Sequence, residues 1–260
     1  MATERQRLKE SERQLNKKLK LEKTLFNKMR RFFRAQNKKA QSFFDRFGLV
    51  FNAQNMTPEL EILLTKHYNK TAKQFTPLIV KTFNDEFKKN GIEPIDEKDP
   101  ALLLVLLLFI RSNVRFSVEK ITDTSNKEIL KAVNEKGTEK RGIYKQLQKK
   151  NLSRSNTVAM TETQKASEGS KQAIAEELDN YGQVAIGAAL TMRTFKFWMT
   201  RMDKRVRPRH KSANGQEVPV NDPFIVGGEF LLYPSDSSLG ASSWNTINCR
   251  CNSLVEVRIF

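Results

Sequence analysis

The chain has 260 residues with 46 Lys and Arg against 29 Asp and Glu, a formal net charge of +17, and a field of that sign favours phosphate backbones or anionic surfaces over neutral partners. Its length allows two modest domains, each with its own core. The only cysteines, Cys249 and Cys251, are separated by one residue; this excludes a spaced disulfide framework and points to free or metal-bound thiols in a reducing compartment.

The amino terminus stays polar for over twenty residues and lacks the apolar region of a secretory signal, so synthesis in a cytoplasm is expected. Residues 1–40 carry fourteen Lys and Arg against four Glu, which places +10 of the net charge at one end. Leu15, Leu19, Phe26, Met29, Phe33, Ala40, Phe43 and Phe47 recur with a helical period, interrupted at Glu22 and Gln36, and predict a long amphipathic helix with a basic outer face. That face is either solvated or turned to DNA; in the second case Arg30, Arg31, Arg34, Lys38 and Lys39 are the candidate contacts.

Thr57-Pro58-Glu59 predicts an N-cap with proline in the first turn, Pro77 a kink, and Lys88 to Gly91 a stop. His67 lies beside the apolar stripe of this helix without a second ligand near it, and reads as structural. Asp99-Pro100 opens a third helix through the apolar run Ala101 to Ile110. Ten residues fall short of the roughly 20 that a membrane span needs, so a buried core helix reaching about Lys120 is expected, and no span. Ser125-Asn126-Lys127-Glu128 is a capping box that predicts a further helix ending at Gly137.

A helix is next expected from about Asn151 to Leu178, closed by Tyr181-Gly182. Beyond it the pattern changes: Met192 to Trp198 alternates, and turn signals follow at Asn214-Gly215, Asn221-Asp222-Pro223, Gly227-Gly228, Tyr233-Pro234 and Gly240. The expected fold class is α+β: a basic all-helical domain over 1–148, then a small α+β domain over 149–260 with an irregular, loop-rich sheet.

His210, Cys249 and Cys251 supply an imidazole and two thiolates, the donors of a structural Zn²⁺ site, with Asp203 or Glu162 as a fourth ligand. The competing reading is a buried thiol pair and a hydrogen-bonded histidine that pin loops. The same residues are also the parts of a thiol nucleophile or a zinc hydrolase. The chain lacks His-Glu-x-x-His, a P-loop, a nucleophile elbow and the zinc-deaminase pattern, so no catalytic residue is assigned. Arg205, Arg207, Arg209 and Lys211 alternate around Pro208, and an extended backbone there would align them as a basic stripe.

Trp198, the run Asp203, Arg205-Val206-Arg207 and His210, Asn214-Gly215-Gln216 ahead of Val218-Pro219-Val220, Pro223-Phe224, Tyr233-Pro234 with Asp236, and Asn248-Cys249-Arg250-Cys251 occur in a specific order. Together with Ala159-Met160-Thr161-Glu162-Thr163 upstream, they resemble the carboxy-terminal domain of the phage head morphogenesis family, the minor head proteins similar to protein F of phage Mu. The resemblance covers roughly residues 150 to 257. It implies a non-enzymatic minor head protein in the capsid interior near the portal vertex. The implied partners are the portal protein, the major capsid or scaffolding protein and packaged DNA, with roles in head assembly and in DNA packaging or ejection. A metal-dependent virion enzyme acting on nucleic acid or peptidoglycan is the alternative.

Overall fold

A computed structural model describes residues 3–185, 190–201 and 203–260. Four long helices form a bundle: α1 (Glu4–Phe47), α2 (Thr57–Lys89), α3 (Pro100–Lys136) and α4 (Gly142–Ala185). A small β-rich part follows: β1 (Met192–Met199), α5 (Pro208–Ser212), β2 (Glu217–Pro219), β3 (Phe224–Val226), β4 (Glu229–Leu231), α6 (Ser243–Thr246) and β5 (Asn252–Ile259). The class is α+β, as the residue pattern predicts.

Local chemistry sets the helix ends. Thr3 caps α1 through a capping box with Gln6, and Gly48 closes it in the left-handed region at φ 63°. Asp99 caps α3 ahead of Pro100. α2 instead starts at Thr57 behind a 3-10 turn, with Met56 at the cap position and no side-chain cap. The expected helix start at Ser125 does not form, because nothing between Lys120 and Ser125 breaks the chain. The Ser125 hydroxyl donates back to Ile121 O at 3.0 Å, and Asn126 Oδ1 accepts from Ala53 N–H at 2.7 Å, so α3 runs on without interruption.

α4 is the central helix and packs against α1, α2 and α3. Its stretch from Thr161 to Gln172 is buried at every position except Lys165, although most of its residues are polar. Aliphatic and aromatic groups from all four helices pack around it, among them Leu25, Met29, Leu64, Tyr68, Val114, Ile129 and Ala159. The buried stripe of α1 is also shifted from the expected one. Leu21 and Leu25 enter the core, Leu19 is exposed, and the stripe continues toward the N-terminus through Lys18, Gln14 and Ser11.

The apolar run of α3 is not the buried core helix its composition suggests. Leu102 and Ile110 are buried, but Leu103, Leu104, Leu107 and Leu108 are more than half exposed, because the bundle covers one side of a helix that is apolar all round. An 18-residue window of α3 has a mean hydropathy of 1.8 and is 28% buried, so by length and composition alone this helix is sufficient to cross a membrane.

β1 lies at the centre of an antiparallel sheet of order β2-β1-β5, and β3 and β4 form a separate hairpin. The β1–β5 pairing runs from Met192 opposite Ile259 to Met199 opposite Asn252. β5 also meets the start of α1. Arg7 pairs with Glu256 at 2.9 Å, and Asn252 Nδ2 donates to Ser11 O at 2.9 Å and Ser11 Oγ at 2.7 Å.

A buried ionic cluster joins these elements. Glu168 accepts from Lys18 at 2.5 Å, lies 3.0 Å from Lys171, and takes the Ser253 backbone N–H at 2.6 Å. Removing the one carboxylate from between two buried ammonium groups leaves uncompensated charge, which costs about 3–5 kcal/mol. Glu168→Gln should therefore lower unfolding free energy by that order in denaturant titration, whereas exposed Glu93→Gln should change it little.

The expected domain boundary at 148/149 falls inside α4, where the helix continues without a break between Gly142 and Ala185. Limited proteolysis tests the division. A continuous helix seated on three neighbours should protect residues 146–155, and an early cut there that leaves a folded carboxy-terminal fragment would support two independent domains.

Candidate metal centre

His210, Cys249 and Cys251 converge from α5 and from the segment leading into β5, and all three are buried. Pro208 starts the one-turn helix α5 and so fixes the direction of His210. Asn248, at φ 54°, takes the left-handed turn ahead of Cys249, a conformation that asparagine tolerates better than most residues. Its backbone N–H donates to Thr161 Oγ1 at 3.1 Å, which ties the cysteine loop to α4. On the other side, Gln164 Nε2 donates to the Cys251 carbonyl.

His210 Nδ1 lies 3.4 Å from Cys251 Sγ and 3.6 Å from Cys249 Sγ, and the three donor atoms lie within 4.8 Å of one another. Zn–S bonds of about 2.3 Å and Zn–N bonds of about 2.0–2.1 Å at a tetrahedral angle place N and S about 3.5 Å apart. The observed spacing fits that geometry.

The tautomer follows from the surrounding hydrogen bonds. Asn245 Nδ2 donates to Val226 O at 3.0 Å and to Glu229 Oε2 at 2.6 Å, so its amide oxygen is the atom that faces His210 Nε2, at 3.3 Å. Nε2 therefore carries the proton and donates to Asn245, leaving the Nδ1 lone pair turned to the sulfurs. An acceptor behind the imidazole is the usual support of a metal-ligating histidine. The Trp198 indole packs edge-on against His210 at 5.6 Å and against Phe224 at 5.2 Å, closing the site on its apolar side.

The two thiols differ. Burial opposes ionisation of Cys249, but the hydrogen bond from the Cys251 thiol is the first of the interactions that outweigh it and hold its pKa well below the ordinary thiol range. Burial, and then the neighbouring Cys249, push Cys251 well above that range. A divalent cation held between them would stabilise both as thiolates.

A family model described as phage Mu protein F like protein matches residues 123–254, just over half of the 260-residue chain. The chain belongs to this family. Comparison with curated proteins and with solved structures returned no match. The phage Mu protein F like match spans His210, Cys249 and Cys251, begins inside α3, and leaves α1 outside it.

The two residues proposed as a fourth ligand are engaged elsewhere. Glu162 accepts the Tyr68 hydroxyl at 2.8 Å, and Asp203 pairs with Arg250 at 2.8 Å and Arg201 at 3.4 Å. Thr163 Oγ1 meets His67 Nε2 at 3.0 Å, and burial drives the His67 pKa down to about 3, so this histidine is a neutral packing group. The signature Thr161-Glu162-Thr163 is thus a buried junction from α4 to the cysteine loop and to α2. The basic stripe expected at Arg205 to Lys211 is broken, because Arg209 and Lys211 lie on α5 rather than on an extended strand.

Arg30, Arg31, Arg34, Lys38 and Lys39 all lie on the exposed side of α1. Residue patterns did not reveal Asn245, Glu229 and Gln164 as supports of the site, since each acts through a partner distant in sequence. Lys18 was missed too, since the stripe read from the sequence ran through Leu15 and Leu19 and left Lys18 on the basic face.

If the trio holds a metal, purified protein should contain about one equivalent of zinc, absent from Cys249→Ser and Cys251→Ser by elemental analysis. Asn245→Leu, which removes the acceptor behind His210, should weaken zinc binding about 10- to 100-fold while leaving the ligands in place. Metal-free wild-type protein whose melting temperature is unchanged in both serine variants would leave the cysteines as packing residues.

Proposed function

We propose that this phage Mu protein F like protein is a non-enzymatic minor head protein of a tailed phage. It sits in the capsid interior near the portal vertex, meets the portal and capsid or scaffolding proteins, and contacts packaged DNA during packaging or ejection. The family match carries the head assignment. The outward row Arg30, Arg31, Arg34, Lys38 and Lys39 supports the contact with DNA, since exposed cations along one helix face release counterions on binding phosphates.

The basic helix is not a detachable arm. Lys18 is 1% exposed and belongs to the core, and Arg7 is tied to Glu256 with its guanidinium 3.7 Å from the Phe197 ring centre. Removal of α1 would unfold the bundle, so the outward cations are tested by neutralisation instead. The non-enzymatic reading is supported by the burial of all three metal-site donors, since a catalytic metal keeps a coordination position open to substrate. In this reading the trio is a staple that holds α5 and the approach to β5 together.

Replacing Arg30, Arg31, Arg34, Lys38 and Lys39 by Gln should leave the circular dichroism spectrum unchanged. It should also reduce the slope of log affinity for duplex DNA against log salt by about 0.9 for each phosphate that these side chains no longer neutralise. Equal affinity and slope in the two proteins would remove DNA binding from this face.

A further inference from the structure

Between α3, α4 and the loop over residues 237–247 lies a cleft of about 690 Å³, inside the range of about 300–1,000 Å³ typical of small-ligand sites. Its walls include Phe116 and Lys120 of α3, and Lys150, Arg154 and Lys165 of α4. His210, Cys249 and Cys251 are not among them.

We propose that this cleft binds a nucleotidyl group, with the phosphate on Arg154 and Lys120 and the base against the Phe116 ring. Charge carries the first half of the assignment. The cations Lys120, Lys150, Arg154 and Lys165 face the acids Glu128 and Glu162, which leaves an excess of two positive charges. Glu128 is held by Lys150 at 2.9 Å, and Glu162 by the Tyr68 hydroxyl at 2.8 Å with Lys165 at 3.9 Å. Arg154 and Lys120 have no carboxylate partner among the described residues. A phosphate monoester carries about −1.5 to −2 charge at neutral pH, which matches the excess.

Arg154 is built in rather than adventitious. One of its terminal nitrogens donates to Ile121 O at 2.9 Å and Ser125 Oγ at 2.6 Å, and its guanidinium stacks 4.1 Å from the Phe33 ring centre. Its other N–H groups make no hydrogen bond to described residues. Burial lowers its pKa to about 10, the mark of a cation stripped of water that gains from an incoming anion.

The aromatic half rests on Phe116, which is 42% exposed within a wall of the cleft. Lys120 and Lys165 place their ammonium groups 5.4 and 5.3 Å from its ring centre. Both ammonium groups lie over the ring, and in the proposed complex they turn from it to the phosphate as the base stacks on its exposed surface. The same chemistry is offered by a free mononucleotide and by the phosphorylated end of a single strand.

The full-length protein should be titrated calorimetrically with 5′-dAMP, adenosine, inorganic phosphate and a 5′-phosphorylated deoxynucleotide decamer. Saturable binding of dAMP is expected, with Lys120→Glu and Phe116→Ala each weakening it about tenfold or more. Lys73→Glu on the exposed side of α2 should leave it unchanged. Arg154→Gln should abolish binding, and Lys120→Glu, which alters an exposed side chain, keeps the proposal testable if the arginine variant misfolds. Competition of the decamer with dAMP would identify a strand end, and dAMP binding without it a mononucleotide; either supports the assignment. No saturable dAMP binding, equal affinity for adenosine or inorganic phosphate, or affinity unchanged in both the Lys120 and Phe116 variants would overturn it.

Discussion

The fold depends on one buried carboxylate between two buried ammonium groups. Glu168 has no exposed surface, and the amines it holds come from α1 and from its own helix, while Ser253 reaches it from β5 through both its N–H and its hydroxyl. Burial raises the pKa of Glu168, but the charges of Lys171 and Lys18 and the hydrogen bonds outweigh it and hold the pKa below the ordinary range. Burial draws Lys171 down to about 8 even with its partner present. Charges out of water are tolerated only when every lone pair and proton finds a partner. That condition is met only if α1, α4 and β5 meet in one register, so the cluster specifies the arrangement more than it adds stability.

The same network reaches the candidate metal centre. Lys18 donates to Gln164 Oε1 at 3.0 Å, and the amide of Gln164 in turn donates to the Cys251 carbonyl. Asn252, the next residue, accepts from Lys18 at 2.5 Å and donates to Ser11. The cysteine loop therefore rests on a polar spine inside the helical bundle. The cysteine loop and the ionic core in series let distant ends of the chain reinforce each other, since β5 cannot shift without disturbing both. This physical continuity is also why α4 bears so many polar residues: they serve α1, α2 and the β-rich part at once.

The basic residues divide by the direction they face. On α1, Lys18 points into the core and Arg7 covers Phe197, while Arg30, Arg31, Arg34, Lys38 and Lys39 face solvent. On α4, Arg154 and Lys165 line the cleft and Lys171 is fully buried. One excess of positive charge thus does three jobs: internal neutralisation of Glu168, an outer field, and a lining for the cleft. Net charge by itself cannot distinguish them.

The sequence by itself determined what local rules decide. Caps, the apolar period and turn residues placed α1, α2, the start of α3, β1 and the α+β class, though not the continuity of α3 past Ser125 or the start of α4 at Gly142, and the order of His210 and the Cys249–Cys251 pair marked the candidate metal ligands and the family. Tertiary structure decided what depends on partners distant in the chain. The pattern of leucines in α3 could not tell which side the bundle would cover, because a helix apolar all round has no preferred face. Nor could spacing show that Glu162 would be taken by Tyr68 and Asp203 by Arg250, or that Lys18 would meet a glutamate 150 residues away. Those pairings arise only when the helices pack, since the energy of a buried charge is set by the groups that surround it and not by its neighbours in sequence.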